Sequence, residues 1–231
     1  MTFLLHPLLL FLLTVAAFYF AKYVNSKAGK HGLLQPLLIS VILVICCLLV
    51  FDVSYARYLS SNLIFQWLLG PAVVALAIPL YQNLHTIHHW LGGIIITIVS
   101  VTIMGLLVIW GITKLFAVQT DTLIALMTKS ATTPIALSIN DILTGNKALA
   151  ATVVMFTGLV GAIIGPPLLK RLNFHDHRIM GIALGLTSHA VGTQRALEIS
   201  PICGAFSALA MTLTGVLLAI LLPMLNTFFF S

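Results

Sequence analysis

The stretch Thr187-Ser188-His189-Ala190-Val191-Gly192-Thr193-Gln194-Arg195-Ala196-Leu197-Glu198 sets hydroxyls, an imidazole, a guanidinium and a carboxylate into a very apolar chain. A second run, Lys129-Ser130-Ala131-Thr132-Thr133-Pro134-Ile135-Ala136-Leu137, adds an ammonium and further hydroxyls. This set can replace the hydration shell of a small anion. Arg195 offers a planar two-point fork and Lys129 a point charge. Ser130, Thr132, Thr133, Ser188 and Thr193 can donate hydroxyls. Gly192 lets backbone approach a ligand closely, and Pro134 marks where a helix restarts. Helices broken at such points expose N–H groups at their N-terminal ends, which favour anions. His189 has a proton affinity suited to proton coupling or pH sensing.

Each residue has a plainer reading beside the chemical one. Arg195 can pair with Glu198, three residues on. Lys129 can reach the membrane interface along its apolar stem. The hydroxyls can bond back to the preceding helical turn, and His189 can satisfy a broken backbone. His85, His88 and His89 have no acidic or cysteine neighbour, so we expect an interfacial loop rather than a metal site. Cys46 and Cys47 read as helix packing. There is no nucleotide-binding glycine loop and no nucleophile with a placed base, so we expect neither an enzyme nor a cofactor.

The elements that must position these residues follow from composition. The chain has 231 residues, 60% hydrophobic and only 7% charged. Its long, unalternating apolar runs define an all-α polytopic membrane protein and exclude a β-barrel pattern. The formal charge of +6 falls mainly in short loops, where it sets topology and does not imply nucleic acid. The lipid bilayer is the expected surround, and the first apolar run reads as a retained span.

Four spans are expected in residues 1–115, over residues 3–21, 33–51, 62–81 and 91–113, the third kinked at Gly70-Pro71 and Pro79. Residues 116–231 form the second part of a single membrane domain. There, polar breaks at 121–141 and 179–200 alternate with apolar helices at 148–169 and 205–225. Thr133, Ala136, Leu137 and Ile139 match Thr193, Ala196, Leu197 and Ile199 at a spacing of sixty. Thr157-Gly158 and Pro166 match Thr214-Gly215 and Pro223 at fifty-seven. Repeats with interrupted helices in matching positions point to a transport site.

The basic loops at 22–31 and 170–178 lie on one side only if each polar break enters and leaves by the same face. The expectation is therefore about six full spans plus two re-entrant or broken segments in an internal inverted repeat. Eight spans is the alternative.

Those two polar runs also resemble the two signature stretches of the LrgB/CidB family, and residues 69–81 resemble a third. The order fits across nearly the whole chain. Two departures stand out: Gln194 replaces a small residue, and Thr128 replaces a proline, which should loosen the turn before Lys129. The resemblance implies a bacterial cytoplasmic (inner) membrane protein, often encoded beside a smaller LrgA/CidA-type membrane protein. It implies two roles: a holin- or antiholin-like modulator of murein hydrolase activity and autolysis, or a carrier of carboxylates such as glycolate, glycerate or pyruvate. The residues lean toward the carrier, since plain spans suffice for a holin. A homo-oligomer remains open.

Overall fold

The structure, a computed structural model, describes residues 6–29, 34–75 and 77–226. Phe3, Lys30, His31, Leu33 and Leu76 lie outside the described residues. Among those described, all regular structure is helical: α1 (Pro7–Lys27), α2 (Pro36–Val50), α3 (Tyr55–Ser61), α4 (Leu63–Ala75), α5 (Ala77–Gln82), α6 (Leu84–Leu115), α7 (Thr120–Met127), α8 (Thr133–Ile142), α9 (Lys147–Arg171), α10 (His177–Ile199) and α11 (Pro201–Met224). Four of them, α1, α6, α9 and α11, are long and apolar enough to cross a membrane, and α2 is a shorter apolar helix. The protein is a multi-pass, all-helical membrane protein.

The chain forms two compact units, Met1–Ala75 and Leu76–Ser231. In the first, α1 is capped by His6 and α2 starts at Pro36, where the missing amide costs little. Asn25 Nδ2 donates to Leu34 O at 2.8 Å, fastening the link between these helices. Thr14 Oγ1 lies 3.0 Å from Tyr58 OH and 3.2 Å from Asn62 Oδ1. One expectation is corrected here. Residues 22–27 are the last turns of α1 and not loop: lysines suit a helix C-terminus, and Lys27 rests 5.8 Å from the Tyr23 ring centre. Between α2 and α4 lies a further short helix, α3.

In the second unit, α6 begins at Leu84, so His85, His88 and His89 lie on helix and not in a loop. Its 32 residues span about 48 Å at 1.5 Å each, longer than a 30 Å hydrocarbon core. A helix that overshoots the core can carry imidazoles into the headgroup layer without unwinding.

Two hairpins are built against α11. In the first, α7 runs inward, residues 128–132 turn, and α8 returns. The Asn146 amide donates to Asp121 O at 3.2 Å, so the segment starts and ends in one place. Asn140 Nδ2 donates to Thr128 Oγ1 at 3.0 Å and to Ala136 O at 2.8 Å, while Thr128 Oγ1 donates to Ala125 O. Thr128 therefore fastens the turn that its replacement of proline was expected to loosen.

The second hairpin lies inside α10, where His189 takes φ 40° and ψ −128°. In an uninterrupted helix Leu184 and Gly192 would be about 12 Å apart. Instead a Cβ on Gly192 would strike the Leu184 carbonyl oxygen, and Met180 shares a buried cluster with Ala196. Residues 177–188 and 190–199 are thus two arms folded back on each other.

Contacts with α11 set their directions. Gly181 abuts Cys203 and Gly185 abuts Ser207, so the first arm runs parallel to α11. Leu197 meets Gly204, and Thr193 Oγ1 reaches Met211 Sδ at 3.8 Å, so the second arm runs antiparallel. The first hairpin approaches α11 from the other end: Ile135 faces Gly215, and Ile139 and Leu143 cluster with Leu218 and Leu222.

Candidate functional site

The two hairpin tips lie near the middle of the long helices. Met211 is ten residues from Pro201 and thirteen from Met224. His189 Nε2 bonds to Val154 O at 2.9 Å, and the His189 Cε1 lies 2.6 Å from where a Cβ on Gly158 would stand. Gly158 is eleven residues from Lys147 and thirteen from Arg171. A carbonyl can only accept, so Nε2 carries the hydrogen, and the bond fixes the tautomer. A non-glycine residue at this φ is strained. The bond to α9 and the burial of His189 (2% exposed) hold it there. Gly192 was expected to let backbone approach a ligand closely; here it serves the close approach of the two arms.

The second tip is largely satisfied internally. Ser188 is fully buried, stands over Gly161 and lies 3.1 Å from Thr187 Oγ1. Thr193, 1% exposed, donates to His189 O at 2.8 Å and lies 2.9 Å from Ser207 Oγ. Arg195, further down the returning arm, donates through Nη1 to Glu198 Oε2 at 2.6 Å.

The first tip differs. Thr132 is the residue before α8, with Thr133 and Pro134 in its first turn, and none of their side chains bonds to the described residues. Lys129 is half-buried, and its Nζ donates to Ser130 Oγ at 3.2 Å. No carboxylate lies within ion-pair distance of Lys129 among the described residues; the pairs present are Lys147–Asp141, Arg178–Asp176 and Arg195–Glu198.

Lys129 and Ser130 line a cavity of about 90 Å³, with Thr187 from the second hairpin and Thr102 and Gly105 from α6. Of the ten residues singled out from sequence, only Lys129 and Ser130 line it. Thr102 was missed. Nothing in the sequence sets it apart from Thr97, Ser100 and Thr113 on the same helix. A larger cleft of about 620 Å³ in the first unit has mainly apolar walls and offers an anion no charge.

Outside the core, Arg178 and Asp176 join the loop after α9 to α6. The Arg178 guanidinium lies 4.9 Å from the Trp90 ring centre. The Asp176 side chain accepts from Arg178 Nε and Nη2 and caps α10 at the Arg178 amide. The hydrogen bond from Arg178 holds the Asp176 carboxyl below the usual carboxylate range, and burial opposes this in part.

Long apolar helices with polar hairpin tips between them define a polytopic membrane protein with a small, mainly apolar cavity that Lys129 and Ser130 help to line. Comparison with known proteins names the group. The LrgB-like family matches residues 14–228, and the chain belongs to that family. It is 33% identical over 226 residues to the holin-like protein CidB of Staphylococcus epidermidis, covering 98% of each chain. It is 39% identical to the uncharacterized protein YxaC of Bacillus subtilis over 214 residues, 91% of each. To an uncharacterized protein of Haemophilus influenzae it is 32% identical, again over 91% of each chain. No solved structure matches it.

Proposed function

We propose that this protein carries a small carboxylate across the bacterial cytoplasmic membrane, with Lys129 as the charge that replaces the anion's hydration. One observation carries the reading: an ammonium with no acidic partner among the described residues lines a small cavity with Thr187 of the second hairpin. An uncompensated charge at membrane depth is costly, and a bound anion relieves that cost. Ser130 and Thr187 add hydroxyls at the same wall. Thr132, Thr133, Ser188, His189, Gly192 and Thr193 build the tips, and Arg195 with Glu198 braces the returning arm.

Topology supports the reading. Hairpins from opposite ends of α11 fit two re-entrant segments meeting near the midplane, with α6, α9 and α11 as full spans. The repeat glycines support an inverted relation: Gly158 of α9 meets the second hairpin, and Gly215 of α11 meets the first. At the α9–α10 end lie Lys170, Arg171 and Arg178 against Asp176; at the other, Lys114 and Lys147 against Asp121 and Asp141. The excess of basic residues at the first of these ends supports a cytoplasmic α9–α10 loop.

A second reading has its own support, because the relatives are named holin-like. On it, the chain modulates autolysis through oligomerisation or a lesion, with an LrgA/CidA-type partner. Among the names of relatives this reading is the better supported; the unpaired Lys129 favours the carrier.

Reconstituted protein should take up labelled pyruvate saturably, without leaking sucrose. Lys129→Gln should cut uptake roughly ten- to hundredfold, the span of a lost charged hydrogen bond. Sucrose leakage that does not saturate and is indifferent to Lys129→Gln would establish the lesion reading.

A further inference from the structure

We propose that the cleft between the start of α6 and the first arm of α10 binds one anionic phospholipid, with its phosphate at Arg178 and an acyl chain along the α6 wall. The site is independent of what the protein carries. The cleft measures about 280 Å³ and lies wholly within the second unit. Trp90, Gly93 and Thr97 share one face of α6 and form one wall. Ile179 and Ile182 of α10 form the other, with Asp176 and Arg178 at one end.

Gly93 keeps the cleft open: nothing lies within 4 Å of where its Cβ would be, and Gly92 beside it is equally bare. Trp90 and Ile179 are 49% and 45% exposed, and the Thr97 hydroxyl is turned back onto Gly93 O, so the walls offer a chain apolar surface. The depth is suitable as well. The α6 helix exceeds a 30 Å core by about 18 Å, and half of that excess at each end leaves Trp90, about 9 Å along the helix, at the edge of the hydrocarbon. Tryptophan favours that level.

The polar end selects the headgroup. Arg178 gives Nε and Nη2 to Asp176, which leaves Nη1 without a bond among the described residues. Its stack on Trp90 holds the guanidinium at the cleft. Asp176 cancels one charge there, and Arg195 and Glu198 of the returning arm cancel each other. Lys170 and Arg171, exposed at the end of α9, have no acidic partner among the described residues, so this end stays positive. At the opposite end Lys114 and Lys147 are balanced by Asp121 and Asp141. Basic pockets between membrane helices hold acidic headgroups. A zwitterionic lipid fits the same walls but gains no net attraction.

The test follows Trp90 fluorescence in a Trp67→Phe/Trp110→Phe protein reconstituted into phosphatidylcholine with brominated phosphatidylglycerol, and the reverse. Quenching should show phosphatidylglycerol favoured about fivefold at Trp90, the worth of one basic residue near an anionic surface. Arg178→Gln should abolish that preference, and Lys147→Gln should leave it intact. Gly93→Leu fills the cleft without a clash and should abolish it with every charge in place. Asp176→Asn should strengthen it by removing the competing carboxylate. In detergent, phosphatidylglycerol should raise the melting temperature of the otherwise unaltered chain more than phosphatidylcholine does, and Gly93→Leu should erase the difference.

Equal quenching by the two lipids in the parent protein overturns the site. A preference that survives Gly93→Leu reduces it to surface charge, and one that survives Arg178→Gln removes the headgroup contact; either result also overturns the proposal.

Discussion

The two hairpins differ in what they do with their polar atoms. In the second, Ser188, His189 and Thr193 are turned inward, onto Thr187, Val154 O and Ser207. In the first, the side chains of Lys129 and Ser130 bond, among the described residues, only to each other, and both residues line a cavity. A polar side chain in a membrane helix is thus no sign of a binding site until its bonds are counted. The second hairpin spends its polar groups on holding a sharp reversal. The first is held from behind by Asn140 and Thr128, leaving its tip free.

The matched position sixty residues apart gives the largest way to break this contrast. Gly192 touches the Leu184 carbonyl, whereas Thr132 already carries a side chain. Gly192→Ala should destabilise the protein by about 1–3 kcal/mol, the usual cost of overpacking, because the obstruction is backbone and cannot yield. Thr132→Ala should change the melting temperature little. Comparable melting shifts for the two would mean that the hairpins are built alike.

A middling effect is expected one residue on. Thr193→Val removes a bond to His189 O and leaves Ser207 Oγ buried without its neighbour. In membrane interiors such bonds average about 0.6 kcal/mol and reach about 1.7. Thr133→Val removes no bond to the described residues and should be silent in the same denaturation assay. Equal losses at 133 and 193 would sink the distinction, since Thr133 would then have a structural partner.

These differences mark how far the sequence could be read. Hydropathy identified α2, α9 and α11 to within a few residues, because desolvation dictates where an apolar helix runs. The start of α11 at Pro201, four residues before its expected start, turns on a Ser200 cap that accepts from the Cys203 amide. The polar runs located both hairpins, since only such segments tolerate a break in hydrocarbon. Their tips were harder to read. Which hydroxyl faces a cavity depends on partners tens of residues away, such as Val154 for His189 and Ser207 for Thr193.

The smallest expected effect concerns the mouths of the hairpins, where each carries one acid–base pair. Asp141 and Lys147 are well exposed, with side chains 68% and 57% accessible. Asp176 and Arg178 are about half as accessible, at 33% and 35%, and Arg178 also stacks on Trp90. Both carboxyls are held below the usual carboxylate range, chiefly by a hydrogen bond from the basic partner. A depressed carboxyl pKa stabilises the fold above the ordinary carboxylate range, and that contribution fades as pH falls through the folded value. Asp176→Asn keeps a capping oxygen but loses the charge, so it should cost about 0.2–1 kcal/mol at neutral pH. The gap between wild type and variant should close as the melt is repeated toward pH 3. Asp141→Asn should show no resolvable gap at any pH, since water and salt screen that pair. A gap for Asp176→Asn that persists at pH 3 would assign its role to shape and not to charge.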